Sequence, residues 1–163
     1  MKLHVLLITT GLATLLLCCA ADHSEIPDPQ FIRVDFRYGF RNIVNTFDGL
    51  LTKDLVLDGT ITVPFWLRTE EQQAILDELD REDFFALPDT IASVAGTVSD
   101  PNPGLQTLRI GARGMTKTVV WQLPVDTGSV SAHHILRIAA RIQSVVESSA
   151  RYPQLPAPRG GYL

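Results

Sequence analysis

Between residues 31 and 38 apolar and polar side chains alternate. Ile32, Val34, Phe36 and Tyr38 fall on one side, and Arg33, Asp35 and Arg37 on the other. A period of two predicts a half-buried strand, and Gly39 ends it. Residues 42–47 predict a second strand. Asp48-Gly49, both tolerant of positive φ, predicts a hairpin turn into a further arm over residues 50–57. Asp58-Gly59 predicts another turn into residues 60–67, where Ile61, Val63, Phe65 and Leu67 share a side. Pro64 has no amide hydrogen for a ladder, so this strand is expected at a sheet edge or a bulge.

The period then changes. Thr69 and Gln72 have capping-box spacing and predict a helix to about Asp83, with Ile75, Leu76 and Leu79 as a narrow apolar stripe. Phe84, Phe85 and Leu87 are expected to close onto the core, and Pro88 stops the chain. Residues 89–104 read as a long linker. Residues 105–111 and 115–121 predict two strands joined by Ala112-Arg113-Gly114, and residues 124–128 a loop. Ser129 or Ser131 can cap a helix reaching about Ser149, whose stripe runs through Ile135, Leu136, Ile138, Ala139, Ile142, Val145 and Val146. Strands, helix, two strands, helix is the order of an α+β domain, with an antiparallel sheet built from consecutive hairpins and two helices packed on one face. The expected core is Ile32, Val34, Phe36, Ile61, Val63, Phe65, Ile75, Leu76, Leu79, Phe85, Leu108, Ile110, Val120, Ile135, Ile138, Ile142 and Val145. Residues 151–163 carry three Pro and two Gly, a composition that predicts a mobile tail. Tyr152, Leu155, Tyr162 and Leu163 within it could instead cover apolar surface, near Trp66 for example.

The N-terminus departs from this pattern. Lys2 precedes a nearly continuous apolar run over residues 5–17, too short for the roughly 20 residues of a membrane span and suited to a signal peptide. Small residues follow it. Leu16-Leu17-Cys18-Cys19 resembles a bacterial lipobox, with Leu16 three positions before Cys19 and Cys18 where Gly, Ala or Ser is usual. Cys19 is therefore the expected acylated residue and Cys18 the alternative; ordinary signal-peptidase cleavage near Ala20 or Ala21 competes with both. The expected organisation is a signal peptide over residues 1–18, a flexible tether over 19–30, one domain over 31–150 and the tail over 151–163.

Composition narrows the class. Apolar residues make up 45% and charged residues 20% of the 163, which excludes a disordered acidic chain and a multi-span membrane protein. The net charge is −4, and −5 once Lys2 is removed with the signal, so no nucleic-acid partner is expected. The two Cys are adjacent, which excludes a disulfide framework. No repeat is visible.

Candidate chemistry is sparse. His133-His134 are adjacent, about 100° apart on a helix, and poorly placed to share a metal; a solvated first turn explains them. Asp48, Asp54 and Asp58 lack calcium-loop spacing and fit turns and strand ends. Ser93, Ser99, Ser129 and Ser131 lack a Gly-x-Ser-x-Gly elbow. No phosphate loop or dinucleotide fingerprint appears, so no cofactor, metal or catalytic residue is assigned. Residues 70–83 carry seven carboxylates against Arg81 alone, expected as a solvated face or else a docking surface for a basic partner. Trp66, Arg33 and Arg37 lie opposite the core-facing positions of their strands and form the candidate binding surface, since Trp and Arg are enriched at binding hot spots. A loop or the tail covering Trp66 is the plainer expectation.

Residues 38–58 look like part of a group of uncharacterised bacterial lipoprotein-like and secreted sequences. The similarity rests on Asn45-Thr46-Phe47-Asp48-Gly49, Thr52-Lys53-Asp54, Phe84-Phe85 with Pro88-Asp89, and the ending from Leu155 to Leu163. This resemblance implies export and no assigned activity. In the order of its elements, including Leu108-Arg109-Ile110 and Thr118-Val119-Val120 as hairpin arms, the chain also resembles emfourin-type metalloprotease inhibitors. The expectation is an exported, lipid-anchored envelope protein that binds a protein or envelope component as a monomer. A protease-inhibitor-like domain, and a hydrolase-like enzyme with a carboxylate site, are the alternatives; a soluble secreted or periplasmic form is the alternative location.

Overall fold

A computed structural model describes residues 30–92 and 105–162. Four strands come first: β1 (Ile32–Tyr38), β2 (Asn42–Asn45), β3 (Leu50–Val56) and β4 (Gly59–Pro64). Helix α1 (Thr69–Arg81), a 3-10 turn at Phe84–Ala86 and the short β5 (Thr90–Ile91) follow. The hairpin of β6 (Leu105–Ala112) and β7 (Met115–Gln122) leads to α2 (Val130–Ser148) and a final 3-10 turn at Tyr152–Gln154. All seven strands form one sheet in the order β4-β3-β2-β1-β6-β7-β5, antiparallel except for β5 against β7. The fold is α+β. β4 lies at an edge, where Pro64 needs no ladder partner on its open side.

The alternation within β1 sets the core. Ile32, Val34, Phe36 and Tyr38 are buried and share one hydrophobic cluster with Leu108 and Ile110 of β6, Ile75 and Leu79 of α1, and Ile135, Ile138 and Ile142 of α2. The β6–β7 turn is two residues long, with Arg113 at φ 52 and Gly114 at φ 75, the backbone that matches strand twist in a tight hairpin.

Several expectations are corrected. β7 is inverted by one residue: Val119 and Trp121 are buried, and Val120 is not. Adjacent valines leave the parity of that strand undetermined in sequence, and pairing of Val119 with buried Leu108 decides it. Phe84 is fully buried, while Phe85, Ile61 and Leu76 only pack against the core's margin. α1 starts one residue early. Arg68 is its N-cap, its amide donating to Glu71 Oε2 at 2.8 Å. Gln72 is released from the cap and is fully buried. Its Oε1 accepts from the amides of Phe31 (2.9 Å) and Ile32 (3.3 Å), and its Nε2 donates to the Leu67 carbonyl (3.0 Å). β2 ends at Asn45, two residues before the expected limit. The linker contains β5, and its residues 93–104, with Ser93 and Ser99, lie outside the described residues.

The tail is ordered, against its composition. Leu155 is buried in the core cluster, and the Tyr152 ring lies 4.3 Å from the ammonium of buried Lys53. Arg159 forms a parallel bridge with Val56, and its guanidinium pairs bidentately with Asp58 (Nε to Oδ2, 2.6 Å). The Tyr162 hydroxyl donates to Asp54 Oδ2 at 2.5 Å, and its ring stands 4.0 Å from that of Phe40. These contacts lie at the start of β4, the opposite end of that strand from Trp66. Leu163 lies outside the described residues.

Tyr38 gives the core a titratable group. Its hydroxyl is buried, with Tyr152 beside it but no hydrogen bond of good geometry. Burial above all, then the Tyr152 hydroxyl and the Glu147 carboxylate, push its pKa well above the ordinary phenol value. The folded protein thus keeps a proton that the unfolded chain loses above about pH 10, so the contribution of Tyr38 to stability is constant below that pH and falls above it. Denaturation curves of Tyr38→Phe are expected to match the parent near neutrality, because no good bond is lost, and to decline less steeply above about pH 10. Equal alkaline slopes would show that Tyr38 does not carry this linkage.

Candidate binding surface

The turn between β2 and β3 builds the site. Thr46 stays attached to β1: its amide donates to the Val34 carbonyl at 2.8 Å, and its hydroxyl accepts from the Val34 amide at 2.9 Å. Asn45 organises the next residues. Its Oδ1 accepts from the amides of Phe47 (3.0 Å) and Asp48 (3.2 Å), and its Nδ2 donates to the Asp48 carboxylate at 2.7 Å. An Asn in this role replaces the backbone bonds a turn would otherwise lack. Gly49 completes the reversal at φ +69, and a Cβ there would stand 3.2 Å from the Trp66 indole nitrogen.

This turn lays Phe47 over the outward sides of β1 and β6. Gly111, paired with Arg33 across the strands, is its seat: a Cβ at Gly111 would stand 3.1 Å from the ring. The guanidinium carbons of Arg33 and Arg109 lie 4.8 and 4.2 Å from the ring centroid. Such contacts are worth about 0.5–1 kcal/mol each at exposed sites. Their larger effect is positional, because a guanidinium held against a ring loses rotamer freedom while its N–H donors stay available. Among the described residues, Arg33, Arg37 and Arg109 take part in no ion pair. Asp35, half-buried, shares their side and faces Arg109 in register. The patch therefore sets three cations around one anion.

Arg33, Arg37 and Trp66 are all exposed, Trp66 at 44%. Trp66 rests on Gly49 and is covered by neither the described loops nor the tail contacts, contrary to the plainer expectation. The structure brings Arg33 and Trp66 to one turn and sets Arg37 further along β1, level with Thr107. Phe47, Arg109 and Gly111 complete the surface and were not expected there. Arg109 alternates with Leu108 and Ile110, so its outward position was legible, but its neighbour was not. Cys18 and Cys19 lie outside the described residues.

Other ionisable residues tie elements of the fold to one another. Glu82, at the end of α1, is 2% exposed and pairs with Arg137 of α2 at 3.3 Å. His134 Nδ1 lies 2.9 Å from the Glu82 carbonyl and 3.8 Å from its carboxylate, so His134 ties α2 to α1 where a solvated side chain was expected. Buried Glu78 pairs with Arg81, and Asp80 with Arg113 (2.6 Å), whose guanidinium holds the Asp80 carboxyl below the ordinary carboxylate range. The acidic run is thus partly neutralised within the domain, where a wholly solvated face was one expectation. Among the described residues, no group of three or more His, Cys, Asp or Glu is placed to hold a metal ion. Among the same residues, no helix is long and apolar enough to cross a membrane.

No known protein family, curated protein or solved structure matches the chain.

Proposed function

We propose that this protein is an exported binding module, anchored through acylated Cys19, that engages a partner in the cell envelope through the outward side of β1 and β6. The observation that supports a binding role is the platform of Phe47 seated on Gly111 between Arg33 and Arg109, with Trp66 at the same turn. Aromatic and Arg side chains held in place before contact lower the entropy cost of binding. The lipid anchor rests on the sequence alone: an apolar run ending in Cys18-Cys19, then a short polar segment that leads into β1.

Two measurements test the two halves. Mass spectrometry of the mature N-terminus is expected to find a diacylated or triacylated Cys19, with palmitate incorporation and membrane association both lost in Cys19→Ala. A mature chain starting unmodified at Ala21 or Asp22 would make the protein a soluble secreted one. A photocrosslinking amino acid at position 37 is expected to capture one envelope partner in intact cells. The same group at Gln143, exposed on α2, should not capture it, and Phe47→Ala should abolish the product. Equal capture from both positions would exclude this surface.

A further inference from the structure

We infer that the partner presents an extended acidic peptide segment, with carboxylates at alternate residues, to Arg33, Arg109 and Arg37. This rests on the binding reading above and adds the chemistry of the ligand.

The charge of the patch selects an anion. Among the described residues its three guanidinium groups have no ion-pair partner, and Asp35 is the one carboxylate on the same side of β1. Its spacing selects a peptide. Arg33 and Arg37 are four residues apart on β1, and Arg109 stands opposite Asp35, midway between them. The three cationic positions therefore follow one another in two-residue steps, about 6.6 Å each along the strand direction. Alternate side chains of an extended chain have the same repeat, so carboxylates on one side of a strand-like peptide can meet the three guanidiniums in turn. A single phosphate would reach only part of an array spread over about 13 Å.

Preorganisation favours planar carboxylates. Phe47 holds two of the three guanidiniums, and Gly111 leaves room for the ring that does so. A guanidinium fixed in this way offers paired N–H donors to both oxygens of a carboxylate, the strongest form of this contact. Asp35 has the opposite effect, since it repels an incoming anion and lies level with the central cation. That opposition makes the inference separable from folding: one substitution should weaken binding and another, beside it, should strengthen it.

The test is fluorescence anisotropy of the chain without its signal peptide against a labelled peptide repeating Glu-Ala. The comparison peptide has the same composition in a Glu-Glu-Ala-Ala repeat, so that no two of its carboxylates stand two residues apart on one side. The alternating peptide is expected to bind about fivefold more tightly, and its binding to weaken as salt is raised. Arg33→Gln and Arg109→Gln should each weaken it about tenfold, and Asp35→Asn should tighten it several-fold. Phe47→Leu, which leaves every charge in place, should weaken it about threefold. Equal affinity for the two peptides would overturn the inference. So would indifference to Asp35→Asn and Arg109→Gln, or tighter binding to phosphatidylglycerol vesicles than to either peptide. If the crosslink from position 37 persists while the alternating peptide fails to bind, the surface stands and only this ligand chemistry is lost.

Discussion

Truncation after Arg151 is expected to lower the free energy of unfolding by about 3 kcal/mol and to expose the β3–β4 hairpin to hydrogen exchange. Ordering a segment rich in Pro and Gly costs backbone entropy, which is why the composition of the tail argues for mobility. The contacts made in the fold offset that cost in three ways. Leu155 enters the core cluster, a transfer worth about 2 kcal/mol. The Arg159 backbone both donates to the Leu55 carbonyl (3.2 Å) and accepts from the Leu57 amide (3.3 Å), so its polar groups stay satisfied. Asp54, 5% exposed, accepts from both the Tyr162 hydroxyl and the Val56 amide. Val56 sits at φ 62, a backbone costly for a β-branched residue, and the bridge to Arg159 helps to hold it there.

The latch has a pH signature. The Arg159 guanidinium holds the Asp58 carboxyl below the ordinary carboxylate range. The stability this pair contributes is present above the ordinary value and is lost as the pH falls through the lowered one. Arg159→Ala should remove that acid-side contribution while leaving Leu155 buried. Chemical denaturation of the truncated chain, with exchange at Leu51 and Lys53 of β3, checks the main expectation. An unchanged midpoint and unchanged protection would show that the tail contributes nothing to the fold.

A comparable loss, about 3–4 kcal/mol, is expected for Gln72→Ala. This one buried side chain satisfies the amides of Phe31 and Ile32 and shares the carbonyl of Leu67 with Gln30 Nε2. It thereby joins the first turn of α1 to the start of β1 and to the chain leaving β4. Orphaning a buried backbone group costs about 1–3 kcal/mol, and the cavity adds to it. Gln72→Leu restores most of the volume and none of the bonds, so it should recover only a small part of the loss. Thermal and denaturant unfolding of the two variants decide the matter: full recovery by leucine would assign the effect to packing.

Gln72 shows where reading the sequence stops. Thr69 and Gln72 have the spacing of a capping box, yet Arg68 and Glu71 take that role one residue earlier. Capping spacing is a local signal that two neighbouring frames can satisfy. The frame is chosen by the demand of β1 for an acceptor at Phe31 and Ile32, which lies some forty residues away in the chain. Glu82 and His134 follow the same logic. Each looks like a surface residue in its own helix, and only the meeting of α1 with α2 buries the one against the other.

The sequence alone determined what depends on near neighbours. The period-two alternation of residues 31–38 settled which side of β1 is buried, and so left Arg33 and Arg37 exposed. Asp48-Gly49 marked one turn, where Gly49 takes the positive φ, Ala112-Arg113-Gly114 marked a second that the structure narrows to Arg113-Gly114, and Pro64 marked the edge strand. The helical stripes and the order of elements were enough for the α+β class. The tertiary structure decided what depends on pairing between distant segments. Placing β6 beside β1 brought Arg109 and Gly111 to Arg33 and gave Phe47 its seat. Docking of the tail on β3 ordered a segment whose composition favours mobility. The reason is the same in both cases. Backbone propensity and side-chain period act over a few residues, whereas strand order, register and the satisfaction of buried polar groups are collective properties of segments that meet only in the folded chain.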